Sequence, residues 1–147
     1  YPVVDSAKLY IPVNGTSLLS LSNVTDATDY YIQLKHRNSI TTWSSVPVRF
    51  NPLTSQAEYR FNTSASQAYN NNQTEVDSSP LRYAIFSGDV NQNKYVDLAD
   101  VTQTYNDAAS FVTGYKVTDV NGDNISDLFD LLIVYNNSTA FVQAYEP

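Results

Sequence analysis

The spacing of apolar and polar positions changes character near residue 87. Before that point the period is two. Lys8-Leu9-Tyr10-Ile11-Pro12-Val13 runs into Asn14-Gly15, a dipeptide suited to the positive φ angles of a tight hairpin turn, and Ser17-Leu18-Leu19-Ser20-Leu21 follows. Residues 30–36 alternate, with Tyr30, Ile32, Leu34 and His36 on one face and Tyr31, Gln33 and Lys35 on the other. Val46-Pro47-Val48-Arg49-Phe50, Glu58-Tyr59-Arg60-Phe61 and Leu81-Arg82-Tyr83-Ala84-Ile85-Phe86 continue the pattern. Residues 70–73 and 77–80 are dense in turn formers and predict a surface loop. Together these runs predict a small antiparallel β-sandwich over residues 1–86.

After residue 87 the chain repeats itself thirty positions on. Asp89-Val90-Asn91 recurs as Asp119-Val120-Asn121, and Asp97-Leu98 with Asp100 as Asp127-Leu128 with Asp130. Tyr105-Asn106 recurs as Tyr135-Asn136, Phe111-Val112 as Phe141-Val142, and Tyr115 as Tyr145. The copies span 89–115 and 119–145. In the first, Leu98, Val101 and Tyr105 fall at helical spacing, as do Leu128, Leu131 and Tyr135 in the second. Each copy therefore reads as a loop followed by a helix. The predicted class is α+β: a sandwich of immunoglobulin-like or transthyretin-like kind over 1–86, then a pair of loop–helix units over 87–147.

Charge sharpens this division. Up to residue 87 six acids balance six bases; from Gly88 onward nine acids face Lys94 and Lys116, so the net charge of −7 resides in the repeats. Such a block repels itself and nucleic acid, and calls for a cation. With no cysteine, disulfides, zinc ribbons and thiol catalysis are excluded together. Twelve tyrosines and no methionine suit half-wet β-surfaces. No stretch is apolar for long enough to span a membrane. The start at Tyr1-Pro2 reads as a processed product or an excised piece.

The acids of the repeat have the spacing of a calcium loop. Calcium takes six to eight oxygens, which a twelve-residue loop supplies from side chains at positions one, three, five, nine and twelve and a backbone carbonyl at seven. The first loop then offers Asp89, Asn91, Asn93, Tyr95 through its carbonyl, Asp97 and Asp100. The second offers Asp119, Asn121, Asp123, Ile125 through its carbonyl, Asp127 and Asp130. Position six, usually glycine because the turn favours left-handed backbone, holds Lys94 and Asn124. Asn tolerates that geometry and Lys is penalised by roughly 1 kcal/mol, so the second loop is expected to be the better site. Two Ca2+ sites are predicted.

GDVNQNKYVDLAD and TDVNGDNISDLFD resemble the loops of dockerin modules, in which each repeat pairs a calcium loop with one helix. The resemblance covers about sixty residues, from Ser87 to Tyr145. It implies calcium binding and docking onto a cohesin module of another protein. The family's recognition residues, a Ser-Thr pair before position twelve and a basic pair in the helix, are replaced here. Leu98-Ala99 and Leu128-Phe129 stand in the loops, and the helices carry no Lys or Arg. The whole chain is also similar to C-terminal regions of large secreted bacterial surface proteins, through Tyr30-Tyr31-Ile32-Gln33-Leu34-Lys35-His36-Arg37-Asn38-Ser39-Ile40-Thr41-Thr42-Trp43-Ser44. In that pattern a further strand often precedes the region of Val3-Val4-Asp5-Ser6. A sandwich lacking it would leave an open edge for pairing with another chain.

His36, the only histidine, has no Ser, Cys or carboxylate pair beside it in sequence and reads as a hydrogen-bonded structural residue. Trp43, the only tryptophan, reads as core, with sugar stacking as its alternative. Asn14, Asn23, Asn62 and Asn72 are candidate glycosylation acceptors, and Asn124, Asn136 and Asn137 also carry the sequon. The expectation is a non-enzymatic, secreted or cell-surface structural and assembly module that associates with itself or with another surface protein. The alternatives are an anchoring module on a cohesin-like receptor, and a carbohydrate-binding β-domain carried beside a calcium staple.

Overall fold

The computed structural model describes residues 2–12 and 14–147. The chain is α+β, with small antiparallel sheets and two helices. β1 (Asp29–Tyr30) pairs with β4 (Val48–Arg49), β2 (Gln33–Leu34) with β3 (Thr42–Trp43), and β5 (Thr74–Ser78) with β6 (Leu81–Ala84). Short 3-10 turns at Phe61–Thr63, Ala65–Gln67 and Tyr69–Asn71 lie between the second and third ribbons. α1 (Leu98–Ala109) and α2 (Leu128–Thr139) complete the order.

The expected sandwich is not what the described residues form. The run at 8–12 is unstranded, as is 17–21; Val13, the end of the first expected strand, lies outside the described residues. Alternation predicts a strand only where a partner edge is in reach, and none pairs with these runs. Residues 30–36 do not make one two-faced strand. Asp29–Tyr30 pairs with β4 and Gln33–Leu34 turns to β3, so residues 30–34 are all half-buried. Residues 58–61 pass into a 3-10 turn instead of a strand. Conversely Thr74–Ser78, poor in apolar residues and partly placed in the expected loop, is a strand because β6 lies opposite: Thr74 faces Ala84 and Ser78 faces Leu81. Across the first ribbon, Asp29 opposes Arg49, whose Nε and Nη2 donate to its two carboxylate oxygens at 2.7 and 2.9 Å. That fork holds the register of a pair too short to be specified by its ladder.

The deepest stretch of the β-half is residues 38–44, every one buried, and it is mostly polar: Asn38, Ser39, Thr41, Thr42 and Ser44 surround Ile40 and Trp43. Ile40 is fully buried in one cluster with Val96, Val134 and Val142, against which Phe86, Val101 and Val120 also pack. Residues 1–86 and 87–147 thus meet in a shared apolar core.

The predicted helices are present, but the ends of their apolar stripes face outward, with Val101 and Leu131 between them half-buried. Leu98, Tyr105, Leu128 and Tyr135 are exposed, whereas Asp100, Thr104 and Ala108 of α1 and Asp130 and Val134 of α2 are buried. The stripe residues other than Leu98 line a furrow of about 390 Å³ between the helices, bounded by Val101, Tyr105, Leu128, Leu131, Leu132 and Tyr135. The inward positions are taken by Asp100, Thr104 and Ala108 in α1 and by Asp130 and the core residue Val134 in α2.

Candidate metal centre

Each loop is wound by its own side chains. In the first, Asp89 accepts from the backbone N–H groups of Asn93 and Lys94 at 3.0 and 3.1 Å. Asn91 accepts from Asn93, and Asn93 from Tyr95, each at 2.9 Å. In the second, Asp119 accepts from Gly122, Asp123 and Asn124 at 2.8, 3.1 and 3.2 Å. Asn121 accepts from Asp123 and Asp123 from Ile125, again at 2.9 Å. Short Asp and Asn side chains favour these turns, which is why the two types interchange along the loop. The backbone takes left-handed φ at Gln92 (60°), Lys94 (78°), Gly122 (86°) and Asn124 (70°). The loop thus demands positive φ at position six of both copies, as its spacing implied.

The acids at nine and twelve belong to the helices as well. Asp97 and Asp127 are the N-caps of α1 and α2, and Asp100 and Asp130 close reciprocal capping boxes. Asp100 also accepts from Val90 and Asn91 at 2.9 and 3.2 Å, and Asp130 from Val120 and Asn121 at 2.8 and 3.0 Å. The far end of each loop is therefore tied to its beginning through the first helical turn.

Each loop is then clasped by the other copy. Val96 N–H donates to the Val142 carbonyl and Ala144 N–H to the Lys94 carbonyl, at 2.9 and 2.8 Å. Equivalently, Ser126 N–H donates to Val112 and Gly114 N–H to Asn124, both at 2.8 Å.

The second loop brings together carboxylate oxygens of Asp119, Asp123 and Asp130 within 4.8 Å of one another, a group that can hold a metal ion; Asp119 and Asp130 are buried and Asp123 is exposed. In the first loop the fifth position is Asn93, and its Nδ2 donates to Asp97 at 3.3 Å. Asp89 and Asp100 are 1% and 0% exposed. Burial, the largest influence on both, holds their pKa values above 3.8 despite several N–H donors. Four buried acids with few cations near them are costly unless a positive charge joins them. The donor set is all oxygen, which fits a hard divalent cation.

Residues outside the repeats complete the centre. Asn38, 1% exposed, donates through Nδ2 to the Asp119 carbonyl at 2.8 Å, and its own carbonyl accepts from Gly88 N–H at 2.6 Å. It joins Gly88, just before the first loop, to the first residue of the second. Arg37 Nη2 donates to the Asp119 carbonyl at 3.1 Å and lies 3.6 Å from the Asp119 carboxylate; Nη1 donates to the Lys116 carbonyl. Its guanidinium also stacks 4.0 Å from the Tyr115 ring centre. Gln92 donates to the carbonyls of Ser39 and Asp89 at 3.2 and 2.7 Å. The spacing of the loops gives no hint of Arg37 or Asn38, which lie about eighty residues away from Asp119.

The remaining candidates divide by burial. His36 Nδ1 lies 2.9 Å from Asn38 Oδ1 and 3.3 Å from Ser39 Oγ. Trp43 is buried, so its ring offers no platform to a sugar. Asn14 and Asn23 are exposed and Asn62 half-buried, but Asn72 is buried and its Nδ2, the atom a glycan would occupy, donates to the Gln143 carbonyl at 2.9 Å. Among the described residues no helix is long and apolar enough to cross a membrane. No family model, curated protein or solved structure matches the chain.

Proposed function

We propose that the chain is a non-enzymatic, secreted structural module that binds two calcium ions through residues 89–100 and 119–130 and assembles through its uncovered β-surfaces. The observation that carries the calcium reading is the convergence of Asp119, Asp123 and Asp130 in a loop already curled by its own hydrogen bonds. The first loop repeats those hydrogen bonds, which extends the reading to a second ion. Calcium at the millimolar level found outside cells saturates even weak loops of this kind, which supports an extracellular setting. The ions would offset up to four negative charges and couple loop, helix and shared core into one unit.

The assembly reading is supported by the arm at 2–28, which enters no sheet among the described residues yet exposes Val3, Tyr10, Ile11 and Leu18. Strand-prone chain without a partner, beside ribbons with free edges, is suited to pairing with another copy that would complete the expected sandwich. Electron microscopy of purified protein in calcium and in chelator tests this. Filaments or large particles that dissolve in chelator are expected; monodisperse monomer in both conditions overturns it.

The exposed furrow between α1 and α2, lined by Leu128 and Leu132, favours a second reading, docking onto a cohesin-like receptor, with Leu98 and Phe129 exposed in the first turns of the helices. A calcium-dependent one-to-one complex with such a receptor, lost on Leu128→Asp, would select it.

A further inference from the structure

Four ion pairs occur among the described residues, and one of them reaches an acid at a ligand position of either loop: Arg37 with Asp119. The Asp119 side chain is 2% exposed and that of Arg37 17%, so water screens this pair far less than the other three. The guanidinium is also held from several sides. The Lys116 and Asp119 carbonyls accept from it, and the Tyr115 ring lies against it. It is supplied by the β-half and comes from a segment fixed by the burial of Asn38, Ser39 and Ile40. In the first loop the carboxylate of the matching acid, Asp89, accepts from backbone N–H groups alone among the described hydrogen bonds.

We infer that Arg37 is a resident counter-cation of the second loop. It holds Asp119 and the start of that loop in place without calcium, and thereby sets how much stability calcium adds. The inference rests on the calcium reading of 119–130. Its physical basis is linkage. A positive charge that stabilises Asp119 in the free loop stands beside the incoming divalent ion in the loaded one, so each cation weakens the other's hold by the same factor. Arg37 is a positioning residue here; it ligates nothing.

The test compares the melting temperature of the full chain in excess calcium and in chelator for wild type, Arg37→Gln and Arg37→Lys. Arg37→Gln is expected to lower the chelator value more than the calcium value, widening the gap by about 3 °C or more. In parallel, the affinity of the second loop for calcium alone, read by titration calorimetry, should rise about fivefold. Arg37→Lys keeps the charge but loses the fork on Lys116 and Asp119, and should keep the wild-type gap while melting lower in both conditions. An Arg37→Gln gap equal to or narrower than wild type overturns the inference, since a purely packing role predicts equal loss in both conditions. If Arg37→Gln folds in neither condition, Arg37→Met, which keeps the aliphatic stem and removes the charge, decides by the same criterion: a widened gap supports the inference and an equal or narrower one overturns it. A wild-type protein that melts alike in calcium and chelator would instead sink the calcium reading beneath it.

Discussion

The two loops of the repeat share a backbone and differ in charge. Asp89 and Asp119 accept from the same relative N–H groups, and Asp100 and Asp130 reach back to the same relative positions. Yet the first loop has Asn93 where the second has Asp123, Lys94 where the second has Asn124, and no guanidinium at its leading acid. Amide and carboxylate oxygens wind a loop equally well, because both accept from the backbone at the same reach. They do not attract a cation equally. Shape and affinity are therefore separable in this molecule, with the turns setting the first and the count of carboxylates the second.

The largest effect expected is that of removing calcium from both loops together. Calcium at a thousandfold excess over its dissociation constant adds about 4 kcal/mol per site. Chelation should thus lower the melting temperature by about 20 °C, with hydrogen exchange rising mostly from Gly88 onward. Equal melting with and without chelator would break the metal reading altogether.

Next in size is the loss of a single twelfth position. Asp130→Ala removes a ligand, a capping-box partner and the tie to Val120 and Asn121 at once, and should cost about 3 kcal/mol in calcium. Asp100→Ala removes the same contacts from the first loop and should cost less, because there is less bound cation to lose. Urea unfolding of both variants in calcium checks the order; a costlier Asp100→Ala would invert the ranking.

A pH series sharpens the contrast between empty and filled loops. Burial raises Asp89 and Asp100 above their unfolded value of 3.8, so on acidification the folded state takes up protons first. Stability of the calcium-free protein should rise as pH falls from neutral through the folded pKa values of these groups. Asp5, Asp29 and Glu146 are lowered and oppose this only below about their unfolded values, at most 4.5, so the window above that is clear. In calcium the slope should reverse, because protons compete with the ion. Melts of stripped and loaded protein between pH 7 and 4.5 read both slopes, and a stripped protein that loses stability on acidification contradicts the burial argument.

The smallest effect is at position six. Lys94→Asn gives the first loop the residue found in the second, at a backbone φ of 78° that Asn accepts more readily. The exposed pair with Glu146 that it gives up contributes little. Melting in calcium should rise by about 2 °C; a fall would show that the Lys94 side chain matters more to the loop than its backbone.

Much of the carboxyl-terminal half could be read directly. Asx turns, left-handed positions and capping boxes all act within twelve residues, so Asp89, Asp97 and Asp100 predict a loop closed onto a helix without reference to anything else. The inversion of the helices was not legible. Leu98, Val101 and Tyr105 have the spacing of a buried stripe, but each loop must return its twelfth acid inward, which turns Thr104 and Ala108 to the core, Val101 and Tyr105 to the furrow and Leu98 to solvent. The amino-terminal half was legible only in its class. Residues 8–12 and 17–21 alternate like strands yet find no edge, while Thr74–Ser78 hardly alternates and pairs because β6 is beside it.

Sequence by itself settled what is local: the duplication, the charge division near residue 87, two oxygen-lined loops and the start of each helix. Tertiary structure alone decided what depends on distant partners. Ile40 enters the core between Val96, Val134 and Val142, Asn38 bridges Gly88 and Asp119, and Arg37 stands beside Asp119. The physical reason is reach. A side chain of two or three bonds organises its own turn, but which strand edge or which distant cation meets it depends on closing some eighty residues of chain, and short-range periodicity carries no record of that closure.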